Sequence, residues 1–102
     1  MNESGIDAPS SGSFASDGNA WRFEGALTFD DAQRVFAASR AMALPANGIV
    51  DFSTLTRADS SALAIVMGLK RRGIAEGRPL SIEGLSASLR SLAVVYGVEN
   101  LV

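Results

Sequence analysis

The residues best placed to do chemistry are Asp59, Ser60 and Ser61, which stand where a polar stretch gives way to the apolar run Ala62-Leu63-Ala64-Ile65-Val66. An acid followed by hydroxyls at such a boundary is the pattern of a helix N-terminus, where side-chain oxygens accept the unpaired N–H groups of the first turn. Asp59 and Ser60 are both good capping residues. A hydroxyl exposed there has three uses: structural cap, nucleophile or modification site. Nucleophilic use needs an activating base, and the chain contains no histidine and no cysteine. That absence removes a Ser-His relay, thiol chemistry, disulfides and the common zinc sites. Asp51 and Asp59 are candidates for an acid–base pair. The simpler reading is that Asp51 closes a strand and Asp59 caps a helix, since no oxyanion or metal constellation accompanies them. Gly68 and Gly73 have the spacing of a phosphate-binding loop, but Ile74-Ala75 follow where Lys and Ser or Thr are required. No enzyme activity and no cofactor are expected.

Ser60 therefore has two readings. As a plain cap it contributes about 1 kcal/mol. As a surface hydroxyl it is a docking residue and a possible phosphorylation site. A phosphate there adds about −1.5 to −2 charge beside Asp59, and the helix N-terminus returns only about 0.3–1 kcal/mol. A partner pressed against it would instead meet an unpaired buried charge, which costs several kcal/mol. A small-residue face, Ser61, Ala64 and Gly68, runs down the same helix. It suits close packing on the protein's own sheet or a flat surface for a partner helix, and the residues alone leave both open.

These residues need elements to hold them. At 102 residues, 47% hydrophobic and 20% charged, the chain fits one folded domain. Met1 to Ser13 is rich in Ser, Gly and Asp and is expected to be a flexible tail, with the domain spanning 14–102. Ser13–Ser16, the turn Asp17-Gly18-Asn19 and Ala20–Glu24 predict a hairpin, with Gly25-Ala26-Leu27-Thr28 breaking its second strand. Phe29–Ala43 has helical spacing of apolar residues and ends before Pro45-Ala46-Asn47-Gly48. Ile49–Phe52 predicts a short strand, and Ser53–Arg57 a connection to the helix Asp59–Arg72, which Gly73 stops. Leu80–Glu83 predicts a strand and Ala87–Val95 a helix with Leu89, Leu92, Ala93 and Tyr96 inward. The order β-β-α-β-α-β-α predicts an α/β domain with a mixed sheet of about four to five strands and helices packed on it. The formal net charge of −2 gives no footprint for nucleic acid. No apolar run reaches membrane-spanning length, and the stretch before Arg22 has neither basic charge nor an apolar block, so no secretory signal, no direct membrane insertion and a cytoplasmic setting are expected.

With Asp59-Ser60-Ser61-Ala62-Leu63 opening a helix in this order of elements, the chain resembles a STAS domain, the module of anti-sigma factor antagonists and sulfate-transporter tails. The resemblance covers roughly Trp21 to Val102. Val50-Asp51-Phe52-Ser53, Asp59–Ala64 and Leu89-Arg90-Ser91-Leu92-Ala93-Val94-Val95-Tyr96-Gly97-Val98 make it more similar to the small STAS subunits of Mla-type phospholipid-transporting ABC systems of Gram-negative bacteria. The resemblance implies a STAS fold and a non-enzymatic subunit bound to the transporter's ATPase, in complex with its permease, supporting outer-membrane lipid asymmetry. It would then be peripheral to the inner membrane through its partner. In that family the residue after the motif Asp, here Ser60, lies at the ATPase contact, and Phe36 is the nearest match to an aromatic implicated on the first helix. Asp59, Ser60, Ser61, Ala64, Gly68 and Phe36 are therefore the expected partner interface. In antagonist relatives the same Ser accepts phosphate from an anti-sigma kinase. Ala62 stands where antagonists commonly have Gly, and a methyl group disturbing kinase docking favours the transporter subunit.

Overall fold

The computed structural model describes residues 12–102. The tail expected over residues 1–13 falls, except for Gly12 and Ser13, outside the described residues. The elements are β1 (Ser13–Ser16), β2 (Trp21–Leu27), α1 (Phe29–Arg40), β3 (Ile49–Ala58), α2 (Ser60–Ala75), β4 (Ser81–Glu83), α3 (Ala87–Val95) and a closing 3-10 turn, Glu99–Leu101. β1 pairs antiparallel with β2. β2 with β3 and β3 with β4 are parallel, giving one mixed sheet in the order β1-β2-β3-β4. This is the expected α/β architecture with four strands. The hairpin forms where Asp-Gly predicted it: the Asp17 carboxylate accepts the N–H groups of Asn19 and Ala20, and Gly18 supplies a φ of 89°.

The two crossovers step across the sheet in one direction, so right-handed connections put α1 and α2 on the same face. α1 packs beside α2, and α2 beside α3. Trp21, Phe23, Val50 and Phe52 of the sheet meet Val35 of α1 and Ala62, Leu63, Ile65, Val66 and Leu69 of α2 in one core. Phe14 of β1 adds an edge-on contact to Phe23, ring centroids 5.1 Å apart. The buried Trp21 keeps its indole N–H paired, to the Ala43 carbonyl at 3.1 Å.

Several boundaries differ from the sequence reading. β2 is not broken at Gly25. Gly25 takes a φ of 99° and the register with β3 shifts around it, so the strand bulges and continues to Leu27. β3 runs to Ala58, because the continuing β2 pairs with Thr54, Leu55, Arg57 and Ala58. α1 stops at Arg40 because the next N–H groups reach back only three residues, Ala41 to Ala38 and Met42 to Ser39, which tightens the last turn out of α geometry. Arg72 then donates to the Ser39 and Met42 carbonyls. Tyr96 caps the C-terminus of α3 and is 58% exposed, not inward.

Gly73 does not stop α2 but lies buried inside it, which extends to Ala75. A Cβ at Gly73 would sit 2.7 Å from the Arg78 carbonyl oxygen and 2.9 Å from Leu80 Cγ. The small residue lets the chain turn back tightly from α2 into β4. Gly73→Ala is expected to destabilise the fold by about 1–3 kcal/mol, despite the helix-propensity gain of about 1 kcal/mol, because the obstructing atom is backbone. Urea unfolding of the two proteins checks this.

Candidate functional site

The end of β2 and the end of β3 are in register, Leu27 opposite Ala58. α1 and α2 therefore start side by side at the carboxyl edge of the sheet, where α/β folds place their binding loops. Two helix starts bring two sets of unpaired N–H groups to one place. Asp59 serves both. Its Oδ1 accepts the backbone N–H of Ser61 at 2.9 Å and the Ser61 hydroxyl, while Oδ2 accepts the N–H of Phe29 at 2.9 Å. Thr28, the formal N-cap of α1, gives that helix no side-chain cap, so the Asp59 carboxylate supplies one. The Ser61 hydroxyl, followed by the Phe29 and Ser61 N–H groups, holds the Asp59 carboxyl below its ordinary value of 3.8, against the opposing effect of burial.

Ser60 is thus not the cap, as one sequence reading had it, but the first residue of α2. It is exposed, and among the described residues its hydroxyl has no hydrogen-bond partner. Ser61 is half-buried and committed to Asp59. Ser60, Ala64 and Gly68 recur every four residues, on one side of α2. There a groove of about 270 Å³ opens between α1 and α2, its lining including Phe36, Ala64, Gly68 and Arg71. Phe36 is half-buried over Gly68: a Cβ at Gly68 would come within 3.0 Å of Phe36 Cε1. Arg40 covers the ring, its Cζ 5.9 Å from the centroid. The structure therefore brings Phe36, Ala64 and Gly68 together, with Ser60 one turn beyond and Asp59 and Ser61 holding the helix start.

Other readings resolve by position. Asp51 accepts the Ser53 N–H at 2.8 Å and lies along β3 from Asp59, about 26 Å away at strand rise, so the two form no acid–base pair. Gly68 and Gly73 lie within α2, not in a strand-to-helix loop. The methyl of Ala62 points into the core, 1% exposed, so it is not a surface obstacle to a docking kinase. Sequence reasoning missed Phe29 and Arg71. Phe29 is 80% exposed beside Asp59. The available signal was its spacing of seven from Phe36, two turns along one helix face.

Asp59→Asn keeps the side chain's shape but has one acceptor oxygen where two are used, leaving either Phe29 or Ser61 unpaired. It is expected to cost about 1–2 kcal/mol at neutral pH. Because folding lowers this carboxyl's pKa, the charge-dependent part is present above 3.8 and is lost as the pH falls from there through the lower folded value. The gap between the two proteins should accordingly narrow in acid, measured by urea unfolding at neutral pH and well below 3.8.

Comparison with protein families gives a match to the family described as "Mlab, STAS domain" over residues 14–102. Comparison with curated proteins gives no match.

Proposed function

Since the chain belongs to the Mlab STAS domain family, we propose that it is a non-enzymatic subunit that binds the ATPase of an Mla-type ABC phospholipid transporter and supports the transporter's assembly and activity in maintaining outer-membrane lipid asymmetry. The observation that carries this reading is the exposed Ser60 hydroxyl, without a hydrogen-bond partner among the described residues, heading a groove of small and aromatic residues between α1 and α2. Ala64 presents little side chain, so a partner can approach α2 closely there, while Gly68 admits the Phe36 ring that walls the groove. Phe36 and Phe29 provide aromatic surface of the kind enriched at interface anchors. Asp59, the acid next to Ser60, has both carboxylate oxygens engaged by Ser61 and Phe29, which suits binding and not activation of the hydroxyl. As such a subunit the protein sits at the cytoplasmic face of the inner membrane through its partner, with the permease in the same complex. Among the described residues no helix is long and apolar enough to cross a membrane.

A second reading, an anti-sigma factor antagonist, draws on the same free hydroxyl as the acceptor of a phosphoryl group from an anti-sigma kinase. Asp59 is the discriminating neighbour in neither case, because its oxygens are already occupied by Ser61 and Phe29.

Titration with the purified Mla-type ATPase tests the leading reading. Ser60→Ala should bind within about threefold of the native chain, whereas Ser60→Glu and Ser60→Arg should lose more than about tenfold, the penalty for burying an unpaired charge. Native affinity in both charged variants would overturn the proposed contact. Specific capture of a sigma-regulating kinase, with phosphate found on Ser60, would establish the antagonist reading in its place.

A further inference from the structure

The run Lys70-Arg71-Arg72 divides its charges. Arg72 turns inward, donating to the Ser39 and Met42 carbonyls at 2.9 and 2.7 Å and pairing with Glu76 at 2.7 Å. Lys70 and Arg71 remain unpaired: among the described residues the ion pairs are those of Arg22, Arg34 and Arg72. Beside them runs a second groove, of about 320 Å³, lined by Met67, Lys70, Arg71, Ile74, Asn100 and Leu101. Its apolar walls are open, with Ile74 71% and Leu101 53% exposed. Met67, Lys70, Arg71 and Ile74 share one face of α2 by their spacing. Arg71 also lines the Phe36–Gly68 groove, so the two grooves meet along this helix.

We infer that this second groove takes an acidic amphipathic helix of the same protein partner, its apolar side chain entering between Met67, Ile74 and Leu101 and its carboxylates pairing with Lys70 and Arg71. The inference rests on the reading that the outer side of α2 faces the ATPase. Charge complementarity selects the occupant. Two cations without an ion-pair partner among the described residues, flanking an apolar groove, fit a helix with acidic residues beside an apolar one. A second copy docking groove to groove about a two-fold axis would set Lys70 and Arg71 against their own equivalents. An anionic lipid surface would meet the exposed Glu99 next to Asn100, and a flat bilayer does not fill a concave groove. At about 1.5 Å per residue, Ser60 and Ile74 are about 21 Å apart along α2, a span one partner surface readily covers.

The test titrates the Mla-type ATPase with the native chain, with Lys70→Glu/Arg71→Glu, with Ile74→Asp and with Ser60→Arg, at low and high salt. Circular dichroism confirms that each variant is folded. The double reversal should weaken binding by about tenfold or more and remove most of its salt dependence, while Ile74→Asp weakens binding with the salt dependence retained. Native affinity in both the reversal and Ile74→Asp overturns the inference; if Ser60→Arg still abolishes binding, the contact at the head of α2 survives alone. Weakening by the reversal without any effect of Ser60→Arg supports the second groove and removes the first. An ATPase that does not bind the native chain overturns both. Binding to phosphatidylglycerol vesicles, or a dimer of the native chain, that the reversal abolishes would assign the groove to another occupant and overturn the inference.

Discussion

One carboxylate joins the two helix starts at the carboxyl edge of the sheet. Parallel strands that end in register deliver two helix N-termini to the same edge, and each arrives with N–H groups that the helices themselves cannot satisfy. Asp59 answers both, one oxygen to Ser61 and the other to Phe29. The side chain that starts α2 therefore also fixes where α1 starts. That link adds a polar tie at the helix starts to the packing of α1 against α2.

The placement of α1 against α2 then determines what surface they offer. Gly68 lets the Phe36 ring lie close to the α2 backbone, and Ala64 keeps the next turn shallow, so the seam between the helices is a groove and not a ridge. At the head of α2, Ser60 is exposed while Ser61, one residue on, is tied to Asp59. Neighbouring hydroxyls thus acquire different roles from geometry alone. Arg71 and Arg72 divide in the same way: one is held by the carbonyls at the end of α1, and the other faces outward between two grooves. The resulting face carries Asp59 and Arg72 satisfied internally beside an exposed Ser60 and Arg71.

The order of elements was legible because it follows from local signals. Asp17-Gly18 makes a hairpin turn, Ala62-Ile65-Val66-Leu69 makes one helix face, and Ser86 caps a helix whose limits, Ala87–Val95, match the spacing. Misreadings arose where a distant pairing overrode a local cue. Gly25 reads as a breaker but is a bulge, since β3 continues alongside. Ser53–Arg57 reads as a loop, being polar, yet its Thr54, Leu55 and Arg57 pair with β2. Gly73 reads as a helix stop, whereas its small size is needed against Arg78 and Leu80. Tyr96 reads as inward by extending the helical period one residue past the helix end.

By itself the sequence determined the α/β class, the helix start at Asp59–Ser61 and the exclusion of His- and Cys-based chemistry, because composition and short-range periodicity suffice for these. It also marked Ser60, Ala64 and Gly68 as residues of interest, and the family resemblance added Phe36. Only the tertiary structure decided which of them meet. The register of Leu27 with Ala58 sets two helix starts together, and that long-range pairing assigns the cap to Asp59, leaves the free hydroxyl to Ser60 and brings Phe29 to their side. No spacing within one helix encodes a contact whose other half lies thirty residues away.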